Sequence, residues 1–257
     1  GVLVHPRGGV VDEQHVGVGP VTELGASEAA HRDDGEPAGS AVQASLGDRL
    51  KRLAEAKDRS THWMLREAVF WRLYDLMTQS YVLYQQGYGL GARILLRSGV
   101  ESLATLIYLN QLMQQVLDGK LNFHAFGDKT ATLLLGSRNN QRGPRSLNIV
   151  TVLEKCDKRY PGLMAVYADL SESAHPSYEG LLLGYSKTDH DEYETNFSNR
   201  WMELHGDRHL GSMELCMGTF HHEYNNVWPA LMEELENWIQ ANDAELEASK
   251  DDPRQTE

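Results

Sequence analysis

The amino-acid sequence predicts an all-α protein, a helical bundle of about five to seven helices with a small β-hairpin or loop insertion near residues 180–197. Two observations favour this fold class. Apolar residues recur at helical spacing through most of residues 44–248, whereas strand-like patterning is confined to the insertion. The segment 88–109 is apolar on nearly every side, which is typical of a buried central helix.

The two ends of the chain differ in composition from the part between them. Residues 1–40 carry two basic and seven acidic residues, and residues 233–257 carry two basic and nine acidic residues. The net charge of −13 therefore belongs mainly to the ends, since residues 41–232 hold 20 basic and 21 acidic residues. We expect residues 1–40 to be disordered, residues 44–248 to form one domain and residues 249–257 to be a disordered acidic tail.

The first long helix is expected to begin after a cap at Ser60 or Thr61 and to end near Gly87. Its aromatic side chains recur near helical spacing. Such a stripe belongs to a core more often than to a platform for nucleic-acid bases, so we expect a core role. These aromatic residues are Trp63, Phe70, Trp71, Tyr74, Tyr81 and Tyr84.

The remaining elements are assigned from caps, breakers and apolar periodicity. A charged amphipathic helix is expected before the first long one, and shorter helices are expected after the central one. The expected segments are helices over 45–59 and 123–135, a polar loop over 137–145, a helix from a Ser146 cap to about 159, a helix over 162–175, strands on either side of 187–191, and a helix over 211–249 bent at Pro229.

Several function classes lack their usual sequence signals. The chain has no GxxxxGK[ST], GxGxxG, GxSxG or HExxH motif, so nucleotide hydrolysis, dinucleotide redox chemistry, serine hydrolysis and zinc proteolysis are not indicated. Residues 1–20 lack the compact apolar block of a signal peptide, so we expect none, and no clean apolar run reaches roughly 20 residues. Cys156 and Cys216 form no CxxC pair. We expect a cytoplasmic protein with buried thiols and no membrane contact.

Charged residues on the central helix mark the first candidate site. Arg93, Arg97 and Glu101 follow one another at four-residue spacing, and charges on a helix that is apolar all round are rarely buried unless they are paired. Some seventy residues later, Glu172 and His175 stand at i, i+3 near a helix end. We expect Arg97, Glu101 and His175 to meet in the interior as a hydrogen-bonded ion-pair network.

A metal centre is the alternative interpretation of the same residues. A Glu-x-x-His pair is the ligand unit of di-iron bundles, but those proteins need two such pairs and two further glutamates. This chain has one pair. A mononuclear site built from Glu101, Glu172, His175 and one residue of the run 221–223 stays open. The missing ligands favour the ion-pair network, so we expect no metal and no cofactor.

The second candidate site is the segment RWMELH, from Arg200 to His205. It resembles the R-x4-H motif of HEPN-type ribonucleases, an all-α dimeric family that uses the arginine and the histidine across the dimer to cleave RNA. The chemistry is sensible, because a cation can stabilise the developing phosphorane charge while an imidazole moves a proton. A pair of unrelated surface residues is the alternative. The three arginines in 137–145 could also contact RNA.

The segments LLRSGVES and DLSESAHPSYEG together resemble a prokaryotic family of helical proteins with a central Arg-Ser-x-x-x-Glu helix and a Leu-Ser-x-x-x-His-Pro/Gly segment. The resemblance spans about residues 60–185 and implies a helical bundle in which the shared polar residues meet. It implies no particular activity. The likeness to HEPN bundles is looser. The matching positions are Arg97, Ser98, Glu101, Leu170, Ser171 and His175.

These observations lead to three functional hypotheses. The first is a defence- or stress-linked HEPN-like protein, homodimeric and acting on RNA through Arg97, Glu101 and His175 or through Arg200 and His205. The second is a non-catalytic interaction or structural module, in which an interior Arg-Glu-His network fixes the register of the helices. The third is a bundle that binds a metal or a small molecule. Whether the protein is an enzyme is left open.

Overall fold

A computed structural model describes residues 61–136 and 146–249. Within these ranges it contains seven α-helices, two short π-helical segments and one two-stranded antiparallel sheet. The predicted all-α bundle with a small hairpin is therefore confirmed. The predictions for the 1–40 segment, the 45–59 helix, the 137–145 loop and the acidic tail after residue 249 lie outside the described residues.

The helices follow one another along the chain with short connections. None of the helices in the described ranges has both the length and the apolar character needed to cross a bilayer. In chain order the elements are α1 (Thr61–Gln85), α2 (Gly89–Leu117), α3 (Phe123–Leu135), α4 (Ile149–Asp157), α5 (Leu163–Ala174), π1 (Tyr178–Leu183), β1 (Ser186–Asp189), β2 (Glu194–Phe197), α6 (Trp201–His222), π2 (Glu223–Val227) and α7 (Trp228–Ser249).

Helix α2 is the central helix, as its all-round apolar sequence predicts. It contacts each of the other six α-helices, and Leu96, Leu103, Leu106 and Ile107 on it are fully buried. Burial of an aliphatic side chain of this size stabilises the fold by about 1.5–3 kcal/mol. Of the charged residues of α2, Arg93 is buried against neighbouring helices, whereas Arg97 and Glu101 stay partly exposed.

Local capping chemistry explains where α3 and α4 begin. The Asn122 side chain accepts hydrogen bonds from two backbone N–H groups of the first turn of α3, at 2.8 and 3.3 Å. Asn148 accepts one from Val150 at 3.0 Å and caps α4. The cap expected at Ser146 is therefore wrong by two residues, because an asparagine side chain supplies the same acceptor closer to the helix.

Glycines in the left-handed region set two of the turns. Gly87 has φ +80 between α1 and α2, and Gly162 has φ +101 directly before α5. Asp157 at the end of α4 accepts hydrogen bonds from the backbone N–H groups of Gly162 and Met164 at 3.0 and 2.9 Å. A non-glycine residue would be strained at either turn.

The hairpin exists, but its first arm is shorter than the sequence pattern indicates. The stretch EGLLLG lies mainly in π1, and β1 begins only at Ser186. The backbone near Gly180 packs so tightly that an added Cβ would lie 1.9 Å from the His175 carbonyl oxygen. The two strands pair from Ser186 with Phe197 to Asp189 with Glu194.

The last helical region is interrupted by a π-helical segment. Helix α6 begins at Trp201, ten residues before the expected start, and π2 separates it from α7. Pro229 is the second residue of α7, where the first N–H groups have no partner within an α-helix. Where the sequence predicts one helix over 211–249 bent at Pro229, the structure has two α-helices separated by π2.

Candidate functional site

The Arg97–Glu101 pair on α2 forms as predicted, and α5 completes it. The Arg97 guanidinium lies 3.1 Å from a Glu101 carboxylate oxygen, and both side chains are about a quarter exposed, at 23% and 24%. Arg97 also donates to the Ser171 hydroxyl at 2.9 Å and to the Tyr167 hydroxyl at 2.6 Å. Tyr167 donates to Glu101 at 3.0 Å, and its ring lies under the guanidinium. This closed network ties α5 to α2.

His175 does not belong to this network, so the expected Arg-Glu-His site is not formed. Helix α5 ends at Ala174, and His175 has the extended conformation that a following proline favours. Its side chain is exposed, as is that of Glu172. The i, i+3 relationship assumed for these two residues needs a helix that continues through residue 175. Tyr167 supplies the interior polar group instead.

The mononuclear metal site is not assembled. In the described part of the chain, no three His, Cys, Asp or Glu side chains are close enough together to hold a metal ion. His221 and His222 are exposed on α6, whereas Glu223 is fully buried in a different environment. Glu101 is already bound by Arg97 and a tyrosine. The side chains proposed as metal ligands therefore lie in separate parts of the structure.

Arg93 lies at the centre of a second network, which the predicted Arg-Glu-His site does not include. Its side chain is 2% exposed and donates to the Ser173 hydroxyl at 2.7 Å. It also donates to the Asp169 backbone carbonyl at 2.9 Å and to the Asp169 carboxylate at 2.7 Å. The sequence does carry a signal for this network. Arg93 precedes Arg97 by four residues, and Asp169 precedes Ser173 by the same number.

His205 borders this second network from α6. Its Nδ1 accepts a hydrogen bond from Arg208 at 3.1 Å, and its ring stacks on Trp201. Burial and the Arg93 charge lower the pKa of His205 to about 4, and Asp169 only partly opposes them. The imidazole is therefore neutral at pH 7, with a protonated Nε2 and Nδ1 occupied as an acceptor.

Arg200 does not act together with His205 within one chain. It stands at the N-cap position of α6 without a capping hydrogen bond from its side chain, and it donates to the Ser186 carbonyl at 2.6 Å. It also forms a bidentate pair with Glu203, at 3.1 and 2.8 Å. Five positions along an α-helix rotate a side chain by about 140°, so the two side chains diverge. The R-x4-H segment thus forms no combined Arg-His site inside the monomer.

A buried serine–histidine contact joins α1 to α6. The Ser80 hydroxyl donates to the Ala92 carbonyl at 2.7 Å and lies 3.2 Å from His209 Nε2. Because the serine proton is already donated, His209 Nε2–H must be the donor in the second contact. Burial, followed by the Arg93 charge, lowers the pKa of His209 to about 4. The arrangement therefore does not activate the serine as a nucleophile.

Glu223 forms a third polar cluster at the start of π2. Its carboxylate is fully buried and accepts hydrogen bonds from Tyr160 at 2.5 Å and from Asn110 at 2.7 Å, with Arg159 at 2.9 Å. Burial and the Glu223 hydrogen bond raise the pKa of Tyr160 to about 12. Burial raises the pKa of the nearby Cys156 thiol to about 12, so that thiol is inert at neutral pH.

The expectation that the aromatic residues of α1 form core is wrong for most of them. Leucine, valine and methionine side chains on another face of α1 pack inward instead. The exposed members of the expected set are Trp63, Trp71, Tyr74 and Tyr81, whereas Phe70 and Tyr84 are partly buried. Periodicity shows which side chains share a helix face, but not whether that face meets the core.

Part of this surface forms a continuous aromatic face. We define it as Phe70, Trp71 and Tyr74 on α1, with Phe220 and Tyr224 at its base. Trp71 is 64% exposed and Tyr74 is 56% exposed, and their ring centroids are 6.3 Å apart. Phe70 lies 5.4 Å from the Tyr224 ring and 6.2 Å from the Phe220 ring. The inner rings hold the two outer ones in place.

Comparison with known proteins adds no family to this description. No family model matches the chain, and neither a curated protein nor a solved structure shows significant similarity to it. The function proposed below is therefore inferred from the geometry of the chain itself.

Proposed function

We propose that the protein is a non-catalytic interaction module that pairs with a second copy of itself through the aromatic face. The observation that carries this proposal is the exposure of Trp71 and Tyr74 side by side over Phe70. Clustered large aromatic side chains are unusual on a monomer surface, and such residues dominate the energetics of protein interfaces. A pre-arranged pair loses little conformational entropy on binding.

None of the five residues of the aromatic face is charged, so two copies can meet there without bringing like charges together. Two chains that each carry −13 repel one another, so they associate at least cost where their surfaces are uncharged. Phe70, Trp71 and Tyr74 carry no charge. A basic partner would instead be attracted by the carboxylates. A two-fold axis uses the same patch on both copies, so one aromatic face is sufficient for a dimer.

The interior networks support a structural role for the polar residues. Arg93 pairs with Asp169, and Arg97 pairs with Glu101. The first pair connects α2 to α5 directly, and the second, which lies within α2, is joined to α5 through Tyr167 and Ser171. We propose that they fix helix register and so keep α1, which packs against α2, in position.

The oligomeric state of the full-length chain tests the proposal. Wild type is expected to show the mass of a dimer by light scattering, and Trp71→Ser with Tyr74→Ser is expected to be monomeric at the same concentration. Loss of two aromatic anchors weakens association by at least 30-fold, as an order of magnitude. Tyr193→Ser is the matched control, because this exposed aromatic residue lies outside the face. A monomeric wild type, or a dimeric double variant, contradicts the proposal.

Action on RNA is the second candidate function. It is supported by the contact of Arg208 with His205 Nδ1 at 3.1 Å, which brings a cation and an imidazole together at a partly exposed position. In a dimer, Arg200 of the other copy would supply a second cation, as the likeness to HEPN proteins implies. The test incubates labelled transfer RNA with wild type, His205→Ala and His175→Ala. Cleavage lost only in His205→Ala supports it, and absence of cleavage by wild type rejects it.

A cytoplasmic location is part of the proposal. Cys156 and Cys216 are free and buried in the structure. Unpaired thiols are typical of proteins in a reducing compartment. Separation of the native source into cytosolic and extracytoplasmic fractions would test the location directly.

A further inference from the structure

A cavity of about 500 Å³ lies between α1, α2, α3 and the start of α4. Its volume is within the range of sites that hold small molecules. Large aliphatic side chains form about half of its wall, and polar groups form most of the rest. Residues 137–145, which join two of its lining residues along the chain, lie outside the described ranges and form no part of the proposed site. The aliphatic side chains of the wall are Leu65, Val69, Leu133, Leu134, Leu147 and Ile149.

One cation lines this wall among the residues that the structure describes. Arg72 donates through Nε to the Ser102 hydroxyl at 3.2 Å, which orients the guanidinium. No carboxylate among the described residues forms an ion pair with Arg72. Glu101 also lines the cavity, but its charge is balanced by Arg97 at 3.1 Å, and Tyr167 donates to the same oxygen. Among the described lining residues, Arg72 is therefore the cation without an ion-pair partner, and the charge of Glu101 is offset by Arg97 from outside the lining.

We propose that this cavity binds a monocarboxylate with an apolar body. The Arg72 guanidinium would bind the carboxylate, because its planar fork matches the two carboxylate oxygens. The aliphatic part of the wall would bury the apolar body, which makes the favourable contribution expected for each methylene group removed from water. A dianion fits less well, since the single cation would leave one charge uncompensated beside Glu101.

The test titrates the full-length protein with octanoate, followed by calorimetry or by saturation-transfer NMR. Octanoate is expected to bind. Octanol lacks the negative charge and acetate lacks the apolar chain, so octanol and acetate should each bind at least roughly 10-fold more weakly than octanoate. Arg72→Gln should weaken octanoate binding by roughly 10- to 100-fold and leave octanol binding unchanged. Lys187→Gln, which removes an exposed cation from β1, is the matched control and should bind as wild type does.

A third variant separates the cavity from the general surface. Leu134→Trp fills the space and is expected to abolish binding of octanoate and octanol together. Circular dichroism and a melting temperature near that of wild type show that each variant is folded. Because Arg72 is exposed, its replacement should leave the fold intact. Absence of octanoate binding by wild type overturns the proposal, and so does binding that survives Arg72→Gln. The dimer mass should not change in Arg72→Gln, which keeps this outcome distinct from that of the aromatic face.

Discussion

Arg93 on α2 and Asp169 on α5 form an ion pair, with 2.7 Å between the guanidinium and the carboxylate, in which only the acid reaches solvent. The Arg93 side chain is 2% exposed and the Asp169 side chain is 40% exposed. Burial would raise the pKa of Asp169, but the hydrogen bond and charge of Arg93 outweigh it, and the pKa is lowered. The pair therefore holds a buried cation in place by an anion that remains partly hydrated.

We expect Asp169→Asn to destabilise the protein by about 2 kcal/mol. The substitution leaves the Arg93 cation buried without a negative partner, and the cost is smaller than the roughly 3–5 kcal/mol of a fully buried pair because water reaches the site. Urea unfolding measures the change. Asp207→Asn is the matched control, since Asp207 is exposed on the same bundle. Equal stability of the two variants would show that Arg93 does not depend on Asp169.

Glu223→Ala should destabilise the fold more than Glu101→Ala does. Glu223 is fully buried with three donors, so its removal leaves Arg159 and Tyr160 without their carboxylate acceptor, at a cost of about 3 kcal/mol. Asn110 keeps only the backbone carbonyl of residue 223, at 3.3 Å. Glu101 is 24% exposed, which reduces the expected cost to about 1 kcal/mol. Urea unfolding of both variants in one buffer gives the difference. A larger effect at Glu101 would reverse the ranking of the two sites.

The sequence predicts the contact of Glu101 with Arg97, but it does not predict the buried hydrogen-bonded environment of Glu223. Arg97 and Glu101 share a regular helix, so four-residue spacing is enough to predict their contact. Glu223 follows two histidines at the start of π2, where the helical period changes and face assignments made at 100° per residue fail. Its partners, on α2 and in the turn after α4, are distant in sequence. Only the tertiary fold brings them together.

The prediction for His175 is wrong for a different physical reason. Pro176 correctly indicates a helix stop, yet the last helical residue is Ala174, not His175. One residue of error at a helix end turns a side chain from the helix face into solvent. The contact between Arg97 and Glu101 is confirmed, whereas their partner Tyr167 lies two turns earlier on α5 than His175. Helix existence was thus predictable, and the exact end was not.

Acidification should destabilise the protein through His209. The folded-state pKa is about 4, against an ordinary value of 6.5, so the unfolded state takes up the proton first as the pH falls. Stability is unaffected above pH 6.5 and decreases between pH 6.5 and 4, by up to about 3 kcal/mol. His209→Gln keeps an Nε2 donor for Ser80 and removes the titration. Urea unfolding at about pH 7 and about pH 4.5 should therefore show a smaller decrease in this variant than in wild type; equal decreases would contradict it.

Three glycines near α6 should respond in opposite directions to replacement by alanine. An added Cβ at Gly211 or Gly218 meets no atom within 4 Å, so alanine should stabilise the helix by about 0.5–1 kcal/mol at each position. At Gly184, before β1, the Cβ would lie 2.5 Å from the buried Trp201 ring, which cannot move away without disturbing His205. We expect Gly184→Ala to destabilise by about 1–3 kcal/mol. Urea unfolding gives the three values, and near-ultraviolet circular dichroism should change only for Gly184→Ala, because only that substitution displaces an indole. A neutral Gly184→Ala would mean that Trp201 does not pack on this turn.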